Sequence, residues 1–124
     1  MRLILWFTAR GIFVWAVSTG ALRLLPEAWT HRPVWTFLIT GVVSAVGLSL
    51  ATLLFLRRIS VESRQVALAA FVAPQMILDA GVTIWFARIL TNFPPEHAPL
   101  FGAFVLWCYA VMLTTGAVAG RPRG

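Results

Sequence analysis

Asp79 is the one acidic residue inside the long apolar segments of this 124-residue chain. Taking a carboxylate to the middle of a bilayer costs about 2.5–3.5 kcal/mol on insertion scales, so such a group is a candidate for exchanging protons or cations. The other three acids, Glu27, Glu62 and Glu96, fall in short polar connections. Gln75, Asp79 and Thr83 recur every fourth residue. On a helix they form one polar stripe, and a stripe of that kind in a membrane faces protein or water, not lipid. Pro74, just before it, removes a backbone donor and can bend the helix. Two uses fit the stripe. One is a coupling carboxylate in a small transporter. The other is a hydrogen-bond cluster between helices, each contact worth about 0.6–2 kcal/mol. The structural use is the expectation, because such clusters are frequent.

Arg10 is the natural candidate charge partner for Asp79, with Arg23 about equally far on the other side. Arg10 lies about 10 Å into the first apolar segment, whereas Asp79 lies about 20 Å into the third from the same end. Snorkelling of Arg10 to the headgroups is therefore expected in preference to an ion pair. Small residues mark close helix approach: Gly41, Ala45 and Ser49 on one face, and Gly116 and Gly120 as a G-x-x-x-G pair. Such faces pack inside a bundle or against a second copy. His31 and His97 lie in loops near Glu27 and Glu96, but each loop offers one His and the spacing fits no ligand motif, so no metal is expected. No His lies within a span, which argues against haem ligation. Trp15, Trp107, Tyr109 and Met112 are placed to touch a quinone or lipid, with packing the commoner use of such residues. Cys108 is alone and reads as a small hydrophobe. Nothing resembles a nucleophile elbow, a phosphate-binding glycine loop or a zinc motif. The expectation is a protein without catalytic site or cofactor.

The elements that position these residues are plain in the composition. Hydrophobic residues make up 60% and charged residues 11%, with a mean hydropathy of +0.86. A soluble domain is nearer 45–50% and 25%. The net charge of +6 comes from arginines placed between or at the ends of apolar runs. That is a topology signal and not a basic face for nucleic acid. Four apolar segments are long enough to span a bilayer: about 3–25, 34–56, 66–90 and 99–120. The short links predict antiparallel neighbours in an all-α, up-down bundle forming one domain over 1–124. Arg2, Arg57, Arg58, Arg64, Arg121 and Arg123 fall on one side, and Arg23, Arg32 and Arg88 on the other. The positive-inside rule puts both termini in the cytoplasm. Trp29, Trp35 and Trp85 then mark the outer interface and Trp6 the inner one. The first segment has no small-residue cleavage pattern and reads as a retained span. "ALRLLPEAWTHRP" from Ala21 parallels "FARILTNFPPEHAP" from Phe86. This suggests two repeated hairpins of one orientation, although any two membrane hairpins share such loops.

The stretch "APQMILDAGVTIWFARILTNFPPEHAPLFGAFVLW" resembles a family of small four-helix bacterial membrane proteins of unknown function. The resemblance is carried by Pro74, Leu78-Asp79, Phe86, the Asn92-to-Pro95 turn, Glu96 and Leu100-Phe101-Gly102. It covers about the C-terminal half. It implies a multi-pass protein of the bacterial inner membrane and no particular activity. The chain is also similar in length and helix number to small multidrug-resistance transporters. Those carry a coupling Glu in the first helix, where this sequence has Arg10 and no acid. The leading expectation is a helix-packing or accessory subunit of a membrane complex or homo-oligomer. Its partners would be the lipid bilayer and other membrane subunits or itself, without nucleic acid. The alternative is a small proton- or cation-coupled transporter using Asp79. A water-filled cavity reaching Asp79 would favour transport; a dry Asp79 bonded to a neighbouring helix would favour the structural role.

Overall fold

The computed structural model describes residues 1–26, 34–119 and 121, with the backbone alone for 34–37. Every regular element among them is helical. In chain order they are α1 (Arg2–Arg23), α2 (Val34–Arg57), a 3-10 turn at Val61–Ser63, α3 (Arg64–Ile84), the single turn α4 (Phe86–Ile89), a second 3-10 turn at Pro95–His97, and α5 (Ala98–Ala119). α1, α2, α3 and α5 are long and apolar enough to cross a membrane. Large apolar side chains such as Ile39, Val43, Ile77 and Leu106 point outward. Helices that are apolar all round suit a hydrocarbon surround.

The packing order differs from the chain order. α1 lies along α3, α3 along α5, and α5 along α2, while α1 and α2 touch only slightly. Phe7 meets Phe55 edge-on at 5.0 Å near one end. Trp107 Nε1 donates to the Gly41 carbonyl and the Thr115 hydroxyl to Ser49 Oγ, both at a separation of 66 residues. α2 and α5 are therefore parallel. Thr8 reaches Ala70 and Trp15 reaches Asp79, so α1 and α3 are parallel too. The expected pattern of successive packed hairpins holds for α3 and α5 but not for α1 and α2. Gly11 is the local reason. It is buried, and an added Cβ would collide with the Phe71 carbonyl oxygen, so the missing side chain lets α1 lie close against α3.

α3 contains Pro74 and still runs unbroken. Proline lacks the N–H that would bond the carbonyl four residues back, that of Ala70. The Thr8 hydroxyl donates to that carbonyl at 3.3 Å from α1. Gln75 Nε2 covers the next one, Phe71 O, at 3.0 Å. The expectation that the third helix continues to 90 is corrected. α3 ends at Ile84, Trp85 leaves helical geometry, and α4 makes one separate turn. Thr83 bonds back to the Asp79 carbonyl at 2.8 Å, a contact that bends helices. β-Branched and aromatic residues, Val82 to Phe86, are also weak helix formers. The break turns Phe86 inward against Phe93 and Phe101, joining a core with Val82 and Leu90.

Two side chains tie the ends of the bundle. Asn92 Nδ2 donates to the Leu22 and Leu25 carbonyls at 2.9 and 3.0 Å, capping the end of α1. The Arg64 guanidinium donates to the Ala119 carbonyl at 3.1 Å and to Ile59 O at 3.1 Å. A cation at the end of α5 suits the negative pole of that helix.

Candidate functional site

Asp79 is 7% exposed and faces the interior from the middle of α3. Trp15 Nε1 of α1 donates to its Oδ1 at 2.9 Å. The Tyr109 hydroxyl of α5 donates to its Oδ2. One carboxyl group thus joins three helices through two neutral donors. Buried carboxylates are commonly held by a cation or by several donors.

The rest of the stripe behaves differently. Gln75 is buried and Thr83 half-buried, and both turn inward with Asp79. Gln75 Nε2 and the Thr83 hydroxyl donate to carbonyls of α3 itself. Asp79 instead accepts hydrogen bonds from two other helices. Arg10 is not its partner. Its guanidinium lies 4.6 Å from the Trp6 ring centroid on the exposed side of α1. The inward face of α1 runs Phe7, Gly11, Trp15, and Arg10 sits one residue, about 100°, away from it.

A cavity of about 620 Å³ lies among all four long helices, with Asp79 in its wall. Trp15, Phe55, Phe71, Phe104 and Tyr109 give it aromatic sides. Gln75 and Thr52 add polar points. The Thr52 side chain is 3% exposed, and its hydroxyl has no hydrogen-bond partner among the described residues. Val14 and Ser18 of α1, and Gly47 and Ala51 of α2, line the same cavity yet are exposed. The cavity therefore opens sideways where α1 and α2 fail to pack. Phe55 also meets Phe71 at 5.3 Å, so with Phe7 the aromatics of three helices close the end nearer the termini. A second hollow of about 330 Å³ lies between α3 and α5, lined by Met76, Thr83, Gly102 and Leu106 and again by Asp79 and Tyr109. The carboxyl group borders both spaces.

The small residues are spent on internal contacts. Gly41 and Ser49 meet α5 through the two bonds above, and Ala45 is half-buried between them on the same helix. Gly116 is buried, and an added Cβ would collide with Leu68 Cδ2. Gly120 lies outside the described residues, as do Glu27, Trp29, His31 and Arg32. Among the described residues there is no group of three or more His, Cys, Asp or Glu able to hold a metal.

Trp15 and Tyr109 stood in the sequence as aromatic residues with packing as their commoner use. A stronger signal was available. An indole N–H or phenol O–H in a span needs an acceptor, and Asp79 is the strongest one in any span. Thr52 gave no signal, because a single Thr in an apolar helix is ordinary.

A chain whose regular elements, among the described residues, are all helical, with four segments long and apolar enough to cross a bilayer and one carboxyl group held among them, fits the class of small multi-pass membrane proteins. Residues 29–122 match a family of unknown function (DUF5367), and the chain belongs to that family. No curated protein and no solved structure matches the chain. The family match runs from before α2 to beyond α5, so Thr52, Asp79 and Tyr109 lie inside it and Trp15 lies outside.

Proposed function

We propose that the chain is a small proton- or cation-coupled transporter of the bacterial cytoplasmic membrane, with Asp79 as the coupling carboxylate and both termini in the cytoplasm. The observation that carries this reading is one carboxyl group, bonded to two neighbouring helices, in the wall of a cavity of about 620 Å³. A purely structural hydrogen-bond cluster needs no space beside it. The accessory-subunit reading leaned on small-residue faces as docking surfaces. Gly41, Ser49 and Gly116 meet neighbours within the chain, so those positions are already occupied.

In this reading Asp79 exchanges a proton for an arriving cation. Trp15 and Tyr109 sense the change, because hydrogen bonds to a charged acceptor are about twice as strong as to a neutral one. Protonation therefore loosens α1 and α5 from α3 together, and charge tightens them. This gives the coupling group a direct hold on the helices that wall the cavity.

The test uses purified protein in liposomes carrying an internal pH dye. Proton movement is followed after imposing gradients of sodium, potassium or organic cations. Wild-type protein should exchange protons for one of them, and Asp79→Asn should fall to the rate of empty liposomes. Asn keeps the size and one acceptor oxygen, so the bundle should still assemble, which size-exclusion chromatography would check. Equal proton flux in wild type and Asp79→Asn would remove Asp79 from the mechanism.

A further inference from the structure

We infer that the central cavity takes a lipophilic organic cation that enters sideways from the bilayer between α1 and α2. This rests on the transporter reading only in sharing Asp79. Four observations carry it. The first is size: about 620 Å³ lies within the usual range of about 300–1,000 Å³ for small-molecule pockets. A multi-ring molecule fits where a bare inorganic ion would rattle.

The second is the chemistry of the wall. A hard cation such as sodium or calcium is held by several oxygens. This cavity offers one carboxyl group, scattered hydroxyls and one amide among aromatic rings. Rings attract organic cations through their faces. Among the described residues Asp79 is the single acid in the wall, and no Arg, Lys or His lines it, so the complementary ligand carries positive charge. The third is Thr52, whose buried hydroxyl has no partner among the described residues and belongs to the α2 wall facing this space. A polar atom on a ligand would answer it.

The fourth is the route. The mouth between α1 and α2 is edged by Val14, Ser18, Gly47 and Ala51, all exposed. At the depth of a membrane span this mouth faces hydrocarbon, where lipophilic cations partition. A Cβ added at Gly47 would meet nothing within 4 Å, so a side chain can start from this position without collision. Gly20 on α1 has the same freedom but does not line the cavity. The two glycines form a matched pair.

The experiment uses the full chain in lipid nanodiscs with tetraphenylphosphonium as probe and tetraphenylsilane, of the same shape and uncharged, as its neutral counterpart. Binding is read by equilibrium dialysis and by quenching of tryptophan fluorescence. Tetraphenylphosphonium should bind wild type about tenfold or more tighter than the neutral compound, and Asp79→Asn should lose about that factor. Gly47→Phe should slow association about tenfold, and Gly20→Phe should leave it unchanged. The neutral compound binding as tightly as the cation would overturn the proposal, and this comparison needs no variant. Full affinity in Asp79→Asn, or identical kinetics in the two glycine variants, would overturn it as well. The two readings separate cleanly. Tetraphenylphosphonium binding without proton exchange keeps the site and removes the transporter; Asp79-dependent proton exchange without such binding does the reverse.

Discussion

At the scale of single residues, the proline in α3 is repaired by a neighbouring helix. Pro74 leaves the Ala70 carbonyl without its usual N–H, and the Thr8 hydroxyl takes that place. An interhelical hydrogen bond of this kind is worth about 0.6 kcal/mol, up to about 2. Thr8→Val should therefore lower stability in mixed micelles by about 1 kcal/mol. The same change in a Pro74→Ala background should cost less, because that substitution restores a backbone N–H aimed at Ala70 O. A double-mutant cycle measures the difference, and purely additive effects would show that Thr8 does not compensate for the proline. Residue-level legibility in the sequence was uneven for the same reason. The stripe Gln75, Asp79, Thr83 was readable from spacing along one helix. Which groups answer Pro74 and Asp79 depends on α1 lying beside α3, and no spacing within α3 records that. Depth already argued against Arg10 as the partner, and its angular position on α1, beside the Trp6 ring, turns it outward as well.

At the scale of elements, two glycines set how closely the long helices approach, and their environments differ in kind. Gly11 faces the rigid backbone carbonyl of Phe71. Gly116 faces Leu68 Cδ2, the end of a side chain that can rotate. Gly11→Ala should cost about 1–3 kcal/mol, the usual range for overpacking, and it should also disturb the Trp15–Asp79 bond one turn away. Gly116→Ala should cost less, and adding Leu68→Ala should remove the steric part of its cost. Thermal unfolding of the single and double variants, with Trp15 fluorescence as a local reading, checks both. Rescue of Gly11→Ala by a side-chain truncation at Phe71 would contradict the backbone collision. The helices themselves were legible from long uncharged runs. The end of α3 at Ile84 was not, because Trp85 to Leu90 holds no proline or glycine and, apart from Arg88, is apolar. Only the core around Phe86, Phe93 and Phe101 decides that the chain turns there.

At the scale of the whole molecule, the start of α1 and the end of α5 lie at one end of the bundle. Trp15–Asp79 and Asn92–Leu22 run α1 parallel to α3, while Tyr109–Asp79 and Gly116–Leu68 run α5 against it. Arg2, Arg57, Arg58, Arg64 and Arg121 gather at this end, and Arg23 and Arg88 at the other. Arg64 is bound to carbonyls of the bundle at that end, so it fixes the geometry as well as contributing charge. In the proposed orientation, with the Arg-rich end in the cytoplasm, the opening between α1 and α2 would lie at hydrocarbon depth and the aromatic floor of Phe7, Phe55 and Phe71 would face the cytoplasm. Fluorescent-protein fusions at residue 1 and at residue 124 should both fluoresce, and alkaline phosphatase fusions at the same positions should both be inactive. A fusion within Thr91–Pro94, beyond the opposite end of α3, should give the reverse pattern. Moving the bias should move the protein: replacing Arg57, Arg58 and Arg121 by Gln while adding three Arg within Thr91–Pro94 should invert all three reporters together. Inversion of one terminus without the other would contradict the single parallel-and-antiparallel packing that Asp79 holds at its centre.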